Sequence, residues 1–287
     1  MDVGIVASGL GFPEGPVAMP DGSVILTEIH NGCCSRVAPD GTVSLFSACG
    51  GGPNGLAFGP DGALYLCNNG AGGQGSIQRL DRTTGAVTTL YTGCDGHALS
   101  APNDLVFDRD GGFYFTDLGK RCDRHRDHGG IYYALPDGSR IVCLCYPFLS
   151  PNGCGLSPDG QVLYVADTMS ARLHAFDIDA PGVLAAPVGT WGEAGRVVGA
   201  APPGPAAFDS LAVLADGNIA VATLSTGRIT EFSPWGAIVR EVATPDSLPT
   251  NLCFGGLDMR TAWITLAGTG RLGVVRWPTP GLRLNFA

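Results

Sequence analysis

The chain has 287 residues with 26 acidic and 17 basic side chains, so its formal net charge is −9. This acidic balance disfavours binding to nucleic acid or to an anionic membrane surface. Hydrophobic residues make up 45% of the chain, which is enough for a large buried core. The 44 glycines and 21 prolines are too many for a helical protein and are spread along the chain, which favours an all-β fold.

We expect a cytoplasmic protein, because the sequence shows no recognisable targeting signal and its cysteines do not form a disulfide pattern. No apolar run approaches the roughly 20 residues that a membrane-spanning helix needs. The first residues, Met1 to Val6, lack the basic and long apolar segments of a signal peptide. The ten cysteines are irregularly spaced and include no C-x-x-C pair. We expect most of them to act as small apolar core residues.

Six segments along the chain share one outline: a polar residue, an apolar run, a turn and a second apolar run. The polar residues are Glu14, Asn54, Asn103, Asn152, Asp209 and Asn251. Each stands seven positions before an aspartate, and these are Asp21, Asp61, Asp110, Asp159, Asp216 and Asp258. The first five aspartates precede glycine, and Asp-Gly is typical of tight hairpin turns. Asp258 lacks this glycine, so we expect a modified turn there.

The spacing of these segments predicts the architecture. The intervals between the polar residues are 40, 49, 49, 57 and 42 residues. A four-stranded propeller blade takes about 40–50 residues, and helical periodicity is absent. The sequence therefore predicts a six-bladed β-propeller with four antiparallel strands per blade, and we expect one domain over residues 1–287.

The last blade is one strand short when only the C-terminal part of the chain is considered. After Asn251, strands are predicted near 251–256, 261–268 and 271–277. Residues 2–9 are apolar and have no blade of their own. We expect this N-terminal segment to complete the last blade, which removes an exposed strand edge.

A propeller places equivalent positions of its inner strands in a ring, so the six polar residues should face one channel mouth. Asparagine and aspartate are common at turns and strand starts, which explains the asparagines without any function. It explains less well the presence of Glu14 and Asp209, because unpaired buried carboxylates are costly. A bound cation would remove that cost. An all-oxygen ligand set favours Ca²⁺, with Mg²⁺, Mn²⁺, Zn²⁺ or Fe²⁺ as alternatives.

Five short motifs, in order and at blade spacing, resemble the SMP-30/gluconolactonase/LRE family over nearly the whole chain. They are Phe12-Pro-Glu14-Gly-Pro, Pro53-Asn54-Gly, Pro102-Asn103-Asp104, Pro151-Asn152-Gly and Phe208-Asp209-Ser210. The resemblance implies a six-bladed propeller with one catalytic divalent metal. The metal ligands that it implies are Glu14, Asn103, Asn152 and Asp209.

The resemblance also implies a reaction, the metal-dependent opening of small lactones. The metal would act as a Lewis acid and Asp209 as the acid/base. Contacts with a lactone or ester substrate are expected at Asn54, Asn103, Asp104 and Asn251. Asp104 and Ser210 adjoin metal ligands and are expected to orient them, or else to be turn residues. The animal aldonolactonase branch has arginine where this chain has Ala101, so we expect a broader or less polar lactone range.

Two other function classes stay open: a metal-dependent esterase or organophosphate hydrolase, and a propeller that binds a ligand without turnover. A serine-hydrolase elbow is absent, and no nucleotide-binding glycine loop stands between a strand and a helix. The segment His125-Arg126-Asp127-His128 lies in the 119–130 loop, and we interpret it as part of the rim. Asp117, His30 and His97 are expected at turns or on the rim.

Overall fold

The computed structural model describes residues 1–186 and 195–287, and these residues form the predicted six-bladed propeller. Each blade begins with the strand nearest the axis and proceeds outward through antiparallel neighbours. The inner strands of blades 1 to 6 are Pro13–Ala18, Pro53–Phe58, Pro102–Phe107, Pro151–Leu156, Ala207–Val213 and Pro249–Gly255. The second strands are Val24–Glu28, Leu64–Asn68, Phe113–Asp117, Val162–Asp167, Ile219–Leu224 and Thr261–Leu266.

The outer half of each blade follows the same order. The third strands are Cys33–Val37, Ser76–Leu80, Gly129–Ala134, Arg172–Ala180, Arg228–Phe232 and Arg271–Arg276. The outermost strands are Val43–Ala48, Val87–Tyr91, Ile141–Phe148, Arg196–Ala200, Ile238–Ala243 and Gly4–Ser8. In blade 4, Val183–Leu184 also pairs with the third strand.

Small elements complete the described structure. A short hairpin, Gly93–Cys94 with His97–Ala98, lies between blades 2 and 3. A 3₁₀ turn spans Gly70–Gly72. Within residues 1–186 and 195–287, no helix has the length and apolar character needed to cross a membrane.

The hairpin turn of blade 6 keeps the geometry of the other blades without their glycine. In blades 1 to 5 the glycine after the turn aspartate has positive φ, for example +84° at Gly22 and +89° at Gly217. In blade 6 the equivalent residue is Met259, which adopts φ +55°. Its backbone N–H donates to the carbonyl of Gly256 at 3.1 Å, and its own carbonyl accepts from Gly281 at 2.7 Å. Contacts with the C-terminal tail therefore stabilise a conformation that glycine supplies elsewhere.

The N-terminal strand closes the ring, as the sequence predicts. Gly4–Ser8 pairs antiparallel with Arg271–Arg276, in a register that places Gly4 opposite Val274 and Ser8 opposite Arg271. Ala7 and Leu10 are buried against blade 1. The two ends of the chain are thus joined by a β-ladder. The third strand of the last blade, Arg271–Arg276, is therefore paired on both sides.

Deleting residues 1–9 should destabilise the whole propeller, because it opens the blade that joins the first and last parts of the chain. We expect the melting temperature to fall by roughly 10 °C or more, since a few kcal/mol of pairing and apolar burial are lost. Thermal unfolding followed by circular dichroism measures this. Removal of the exposed residues Met1 and Asp2 alone is the control. An unchanged melting temperature in the longer deletion would contradict the closure.

The hydrophobic core is divided among the blade interfaces. In the described residues, one buried apolar cluster lies between each pair of neighbouring blades, including the pair formed by blades 6 and 1. Tyr65, Phe113, Tyr114, Phe115 and Tyr164 are buried in these clusters, as expected from strand alternation. Adjacent blades therefore pack against each other around the central channel.

The C-terminal tail covers one end of the channel. Leu282 donates to the carbonyl of Val213 at 2.9 Å, and the Asn285 side chain donates to the carbonyl of Phe107 at 3.0 Å. Val213 and Phe107 end their inner strands, so the tail lies at the end of the channel opposite the strand starts. A cavity of about 110 Å³, lined mainly by apolar side chains, remains between the inner strands and the tail.

Candidate active site

The six polar residues at the starts of the inner strands form the ring that the sequence predicts. The ring residues are Glu14, Asn54, Asn103, Asn152, Asp209 and Asn251. All are buried, with relative exposures from 2% at Glu14 to 7% at Asp209. Side chains of this polarity are seldom buried together without partners or a ligand.

An irregularity of the inner strands presents these side chains at the ring. In every blade the register between the inner and second strands shifts at or beside the ring residue. Such a bulge bends the strand and redirects a side chain. The glycines that follow several ring residues permit close packing there. A Cβ at Gly15 would lie 2.2 Å from the carbonyl oxygen of Asn54, and one at Gly153 would lie 2.5 Å from the backbone nitrogen of Leu211.

Three acceptor atoms of the ring have no hydrogen-bond partner. They are Oε2 of Glu14, Oδ1 of Asn54 and Oδ1 of Asn103, and all three are inaccessible to solvent. A buried acceptor left without a donor costs about 1–3 kcal/mol, and more when it is charged. The arrangement is therefore unfavourable for the protein alone and suits a ligand that interacts with oxygen lone pairs.

The carboxyl groups at the channel oppose one another's ionisation. Burial raises the pKa of Glu14 well above its ordinary value, and the nearby Asp209 and Asp104 raise it further. A hydrogen bond from Asn251 and one from the backbone of Gly15 act in the opposite direction. The repulsion between Glu14 and both aspartates indicates that the three buried carboxyl groups lie near one another.

Asp209 and Asp104 are shifted for the same reason. Burial raises the pKa of Asp209 to about 7; a hydrogen bond from Asn152 lowers it and the charge of Asp104 raises it. Burial also raises the pKa of Asp104 to about 7, against hydrogen bonds from Leu105, Ser210 and Cys154. Both groups thus hold or release a proton near neutral pH in the metal-free protein.

The donor set fits a divalent cation. Two carboxylates and several amide oxygens converge on the ring, and three of the acceptors lack donors. A hard cation such as Ca²⁺ binds carboxylate and amide oxygens and would relieve both the repulsion and the missing hydrogen bonds. The ring contains no thiol or imidazole, which softer transition metals prefer.

The remaining contacts show how the predicted site residues are arranged. The amide of Asn152 donates to Thr168 at 3.1 Å, in addition to its bond with Asp209. Oδ1 of Asn251 accepts from the backbone of Leu252 at 2.7 Å, which leaves its amide nitrogen for Glu14. Asp104 lies beside this group and contacts Ser210, so the structure brings it and Ser210 to the site as sequence adjacency suggested.

A second set of buried polar side chains fixes the loops that lead into the ring. Its members end the second strands and are Glu28, Asn68, Asp117 and Asp167. Asp117 accepts from the backbone N–H groups of Ser100 and Ala101 at 2.7 Å each. Asp167 accepts from Ser150 at 2.9 Å. These bonds hold the backbone immediately before the ring residues of blades 3 and 4.

The expectation of a turn or rim position was wrong for Asp117, which is 3% exposed and ends a strand. His30 lies in an exposed turn, and the exposed His97 lies in the short hairpin before blade 3. A repeat signal could have identified the whole set. Each member follows its ring residue by 14 or 15 positions, and each is a carboxylate or an amide. These residues end the second apolar run of each repeat, but the sequence analysis assigned a shared role only to the residue that begins the repeat.

A protein-family model matches most of this chain. The family model described as "SMP-30/Gluconolactonase/LRE-like region" matches residues 12–268. The chain belongs to this family.

Several proteins similar to this chain carry lactonase names. A gluconolactonase from Zymomonas mobilis is 28% identical over 202 residues, which cover 62% of this chain and 56% of the relative. Lactonase drp35 from Staphylococcus saprophyticus is 30% identical over 251 residues, which cover 84% of this chain and 71% of the relative. A solved gluconolactonase from Xanthomonas campestris has 26% identity and a TM-score of 0.79, with 96% of this chain and 89% of that chain covered.

The shifted carboxyls of this SMP-30/gluconolactonase-like protein predict how its stability depends on pH. Asp104 and Asp209 have pKa values of about 7 in the folded metal-free protein, against ordinary values near 4 when unfolded. A raised folded pKa adds stability below the unfolded value, and this contribution is lost as pH rises through about 7. After EDTA treatment we expect a melting temperature lower at pH 8 than at pH 5 by at least roughly 5 °C.

Calcium should reverse this loss, because it stabilises the ionised carboxylates. Differential scanning fluorimetry at both pH values, with and without 1 equivalent or excess of Ca²⁺, measures the effect. Asp104→Asn is the comparison variant and should show a smaller decline between pH 5 and pH 8. A decline of equal size in that variant would contradict the assignment of the pH effect to the ring carboxyls.

Proposed function

We propose that this protein hydrolyses small lactones, using a divalent ion held by Glu14, Asn103, Asn152 and Asp209. The observation that carries the proposal is the buried ring of oxygen donors, in which carboxyls repel one another and acceptor atoms lack partners. The gluconolactonase and lactonase relatives support the substrate class. Ca²⁺ is the preferred ion, with Mg²⁺, Mn²⁺, Zn²⁺ or Fe²⁺ as alternatives.

A bound ion would supply Lewis-acid polarisation of the lactone carbonyl and a lower pKa for a nearby water. The residues of the chain supply the rest of the chemistry. Asp209 takes a proton from the attacking water as the new carbon–oxygen bond forms. It returns that proton to the ring oxygen as the old ester bond breaks, so the product is a hydroxy acid. A buried carboxyl group that lies among the other oxygen donors of the ring suits this double role.

Neighbouring side chains hold Asp209 and orient the substrate. Asn152 donates a hydrogen bond to Asp209, and Thr168 accepts one from Asn152. We assign substrate contacts to Asn54, Asn103, Asn251 and Asp104, whose polar atoms lie in the same ring or directly beside it. Asn103 therefore serves both the ion and the substrate in this proposal.

Ala101, two positions before Asn103, favours less polar lactones. Ala101 is 6% exposed, and its backbone N–H is bound to Asp117. This position offers a methyl group where an arginine would supply hydrogen-bond donors for sugar hydroxyls. We expect a range that includes lactones with few or no hydroxyl groups.

A substrate panel tests the function directly. Five- and six-membered lactones, aryl esters and organophosphates are offered to the metal-loaded protein and to the EDTA-treated protein. The proposal expects lactone hydrolysis that EDTA abolishes and added metal restores. Hydrolysis of aryl esters or organophosphates with no lactone turned over would favour the other hydrolase class. No turnover of any compound, together with metal binding, would favour a ligand-binding propeller.

A further inference from the structure

The loop between the second and third strands of blade 3 contains a small hairpin of its own. Arg121 and Arg126 form an isolated antiparallel bridge. Asp127 donates its backbone N–H to the carbonyl of Lys120, and Cys122 donates to the carbonyl of His125, each at 2.9 Å. The chain therefore reverses over the two residues between Cys122 and His125, in what we call the rim hairpin, residues 120–127.

Three potential metal ligands converge on one face of the rim hairpin. Cys122 and His125 flank the turn and lie opposite each other. Asp127 follows His125 by two positions, so its side chain lies on the same face. The ligand atoms of the three residues are all within 4.8 Å of one another. In the part of the chain that the structure describes, no other group of three His, Cys, Asp or Glu residues meets this distance.

Contacts outside the trio attach the hairpin to neighbouring segments of the propeller and engage the side chains of Arg126 and Lys120 there. Arg126 donates to the Ser150 hydroxyl at 2.7 Å and to the carbonyl of Leu118 at 3.0 Å. Lys120 donates to the carbonyl of Gly73. Oδ2 of Asp127 accepts from the Ser100 hydroxyl at 3.0 Å, which leaves Oδ1 towards His125. The trio is thus held on a fixed support and open to solvent.

We propose that Cys122, His125 and Asp127 form a metal site for zinc-type ions, with a fourth position open to water. A tetrahedral ion with bonds of about 2.0–2.3 Å needs ligand atoms about 3.3–3.8 Å apart. Nε2 of His125 and Oδ1 of Asp127 are already 3.8 Å apart. Since all three ligand atoms lie within 4.8 Å of one another, closure of the site shortens each ligand–ligand distance by about 1.5 Å or less.

The chemistry of the trio differs from that of the ring. A thiolate and an imidazole favour Zn²⁺, Co²⁺ or Cu²⁺ over Ca²⁺ and Mg²⁺, whereas the ring offers oxygen alone. Binding forms a metal–sulfur bond and releases the Cys122 thiol proton to the buffer, while the imidazole nitrogen and the carboxylate donate lone pairs. The alternative is an ordinary charged turn whose side chains are solvated independently.

Cobalt spectroscopy separates the two sites because only a cysteine ligand produces cobalt–thiolate charge-transfer absorption. The full-length protein is reduced, stripped of metal with EDTA and titrated with Co²⁺. We expect the near-ultraviolet band to saturate at one equivalent and to be displaced by Zn²⁺. Cys122→Ser should lose the band, while His125→Gln and Asp127→Asn should weaken Co²⁺ binding by at least about tenfold, or 1.4 kcal/mol.

Two matched variants act as controls, since both leave the trio intact. Cys143→Ser removes the other exposed cysteine, and His128→Gln removes the histidine next to Asp127. Both should keep the band at one equivalent. Absence of the band in the unmodified protein, or a band that survives Cys122→Ser and disappears in Cys143→Ser, would overturn the proposal. These results do not depend on lactone hydrolysis.

Discussion

Replacing Asp209 with asparagine should lower kcat for lactone hydrolysis by roughly 10²–10⁴-fold, even when excess metal keeps the ring loaded. This is the typical contribution of general acid–base catalysis by a positioned side chain. Asparagine retains the shape and one oxygen of aspartate but cannot accept and return a proton. Steady-state kinetics at saturating Ca²⁺, with metal content measured on the same samples, separate lost chemistry from lost binding.

Asp108→Asn is the matched control for this variant. Asp108 is also a buried aspartate, but it follows the end of the blade 3 inner strand that is farther from the ring. It accepts a hydrogen bond from the Tyr133 hydroxyl at 2.8 Å. Its replacement should affect stability more than kcat. A fully loaded Asp209→Asn variant with unchanged kcat would remove Asp209 from the acid/base role.

Replacing Glu14 with glutamine should weaken Ca²⁺ binding by roughly two orders of magnitude, because ligand charge strongly determines affinity for this ion. Glu14 is 2% exposed, and its Oε2 has no hydrogen-bond partner, so the hydrogen bonds from Asn251 and Gly15 compensate its charge only in part. Isothermal titration calorimetry with the EDTA-treated protein measures the change in dissociation constant.

Glu231→Gln is the control for the Glu14 variant. Glu231 is 1% exposed but lies away from the ring, where Trp277 and Arg240 donate to its carboxylate at 3.0 and 3.1 Å. Its replacement should leave Ca²⁺ affinity nearly unchanged. If Glu14→Gln and Asp209→Asn both bind Ca²⁺ with the dissociation constant of the unmodified protein, the ring is not the metal site.

The fold could be predicted from the sequence because its information is local and repeated. The ring residue, the apolar runs and the Asp-Gly turn recur in order, and each fixes the same part of a blade. Closure by Gly4–Ser8 followed from counting strands, since the last blade lacked one. A modified turn was expected at Asp258, but Met259 adopts the positive φ that glycine has in the other blades, which the missing glycine did not predict.

The candidate site was only partly predictable, because much of it depends on contacts between distant segments. The sequence indicated which residues form the ring, but not which acceptors would lack donors. Whether Oδ1 of Asn54 finds a partner depends on how closely neighbouring inner strands pack, which the bulges and glycines determine. The same holds for Asp117, whose partners are backbone groups of a loop that precedes it by 16 or 17 residues.

The rim hairpin shows a similar limit. The segment around His125 and Asp127 was interpreted as a rim loop, and its location between the second and third strands of blade 3 agrees with that interpretation. Its register was not predictable, because only the pairing of Arg121 with Arg126 places Cys122 on the same face as the other two ligands.

Anomalous diffraction from a crystal of the Mn²⁺-loaded protein tests the central claim most directly. It locates the ion without reference to activity and distinguishes the ring from the rim hairpin. The account predicts an anomalous peak at the ring, with oxygens of Glu14, Asn152 and Asp209 within about 2.0–2.6 Å and Asn103 bound directly or through water. A fully loaded crystal with no peak at the ring, or with its peak only at the rim hairpin, would contradict it.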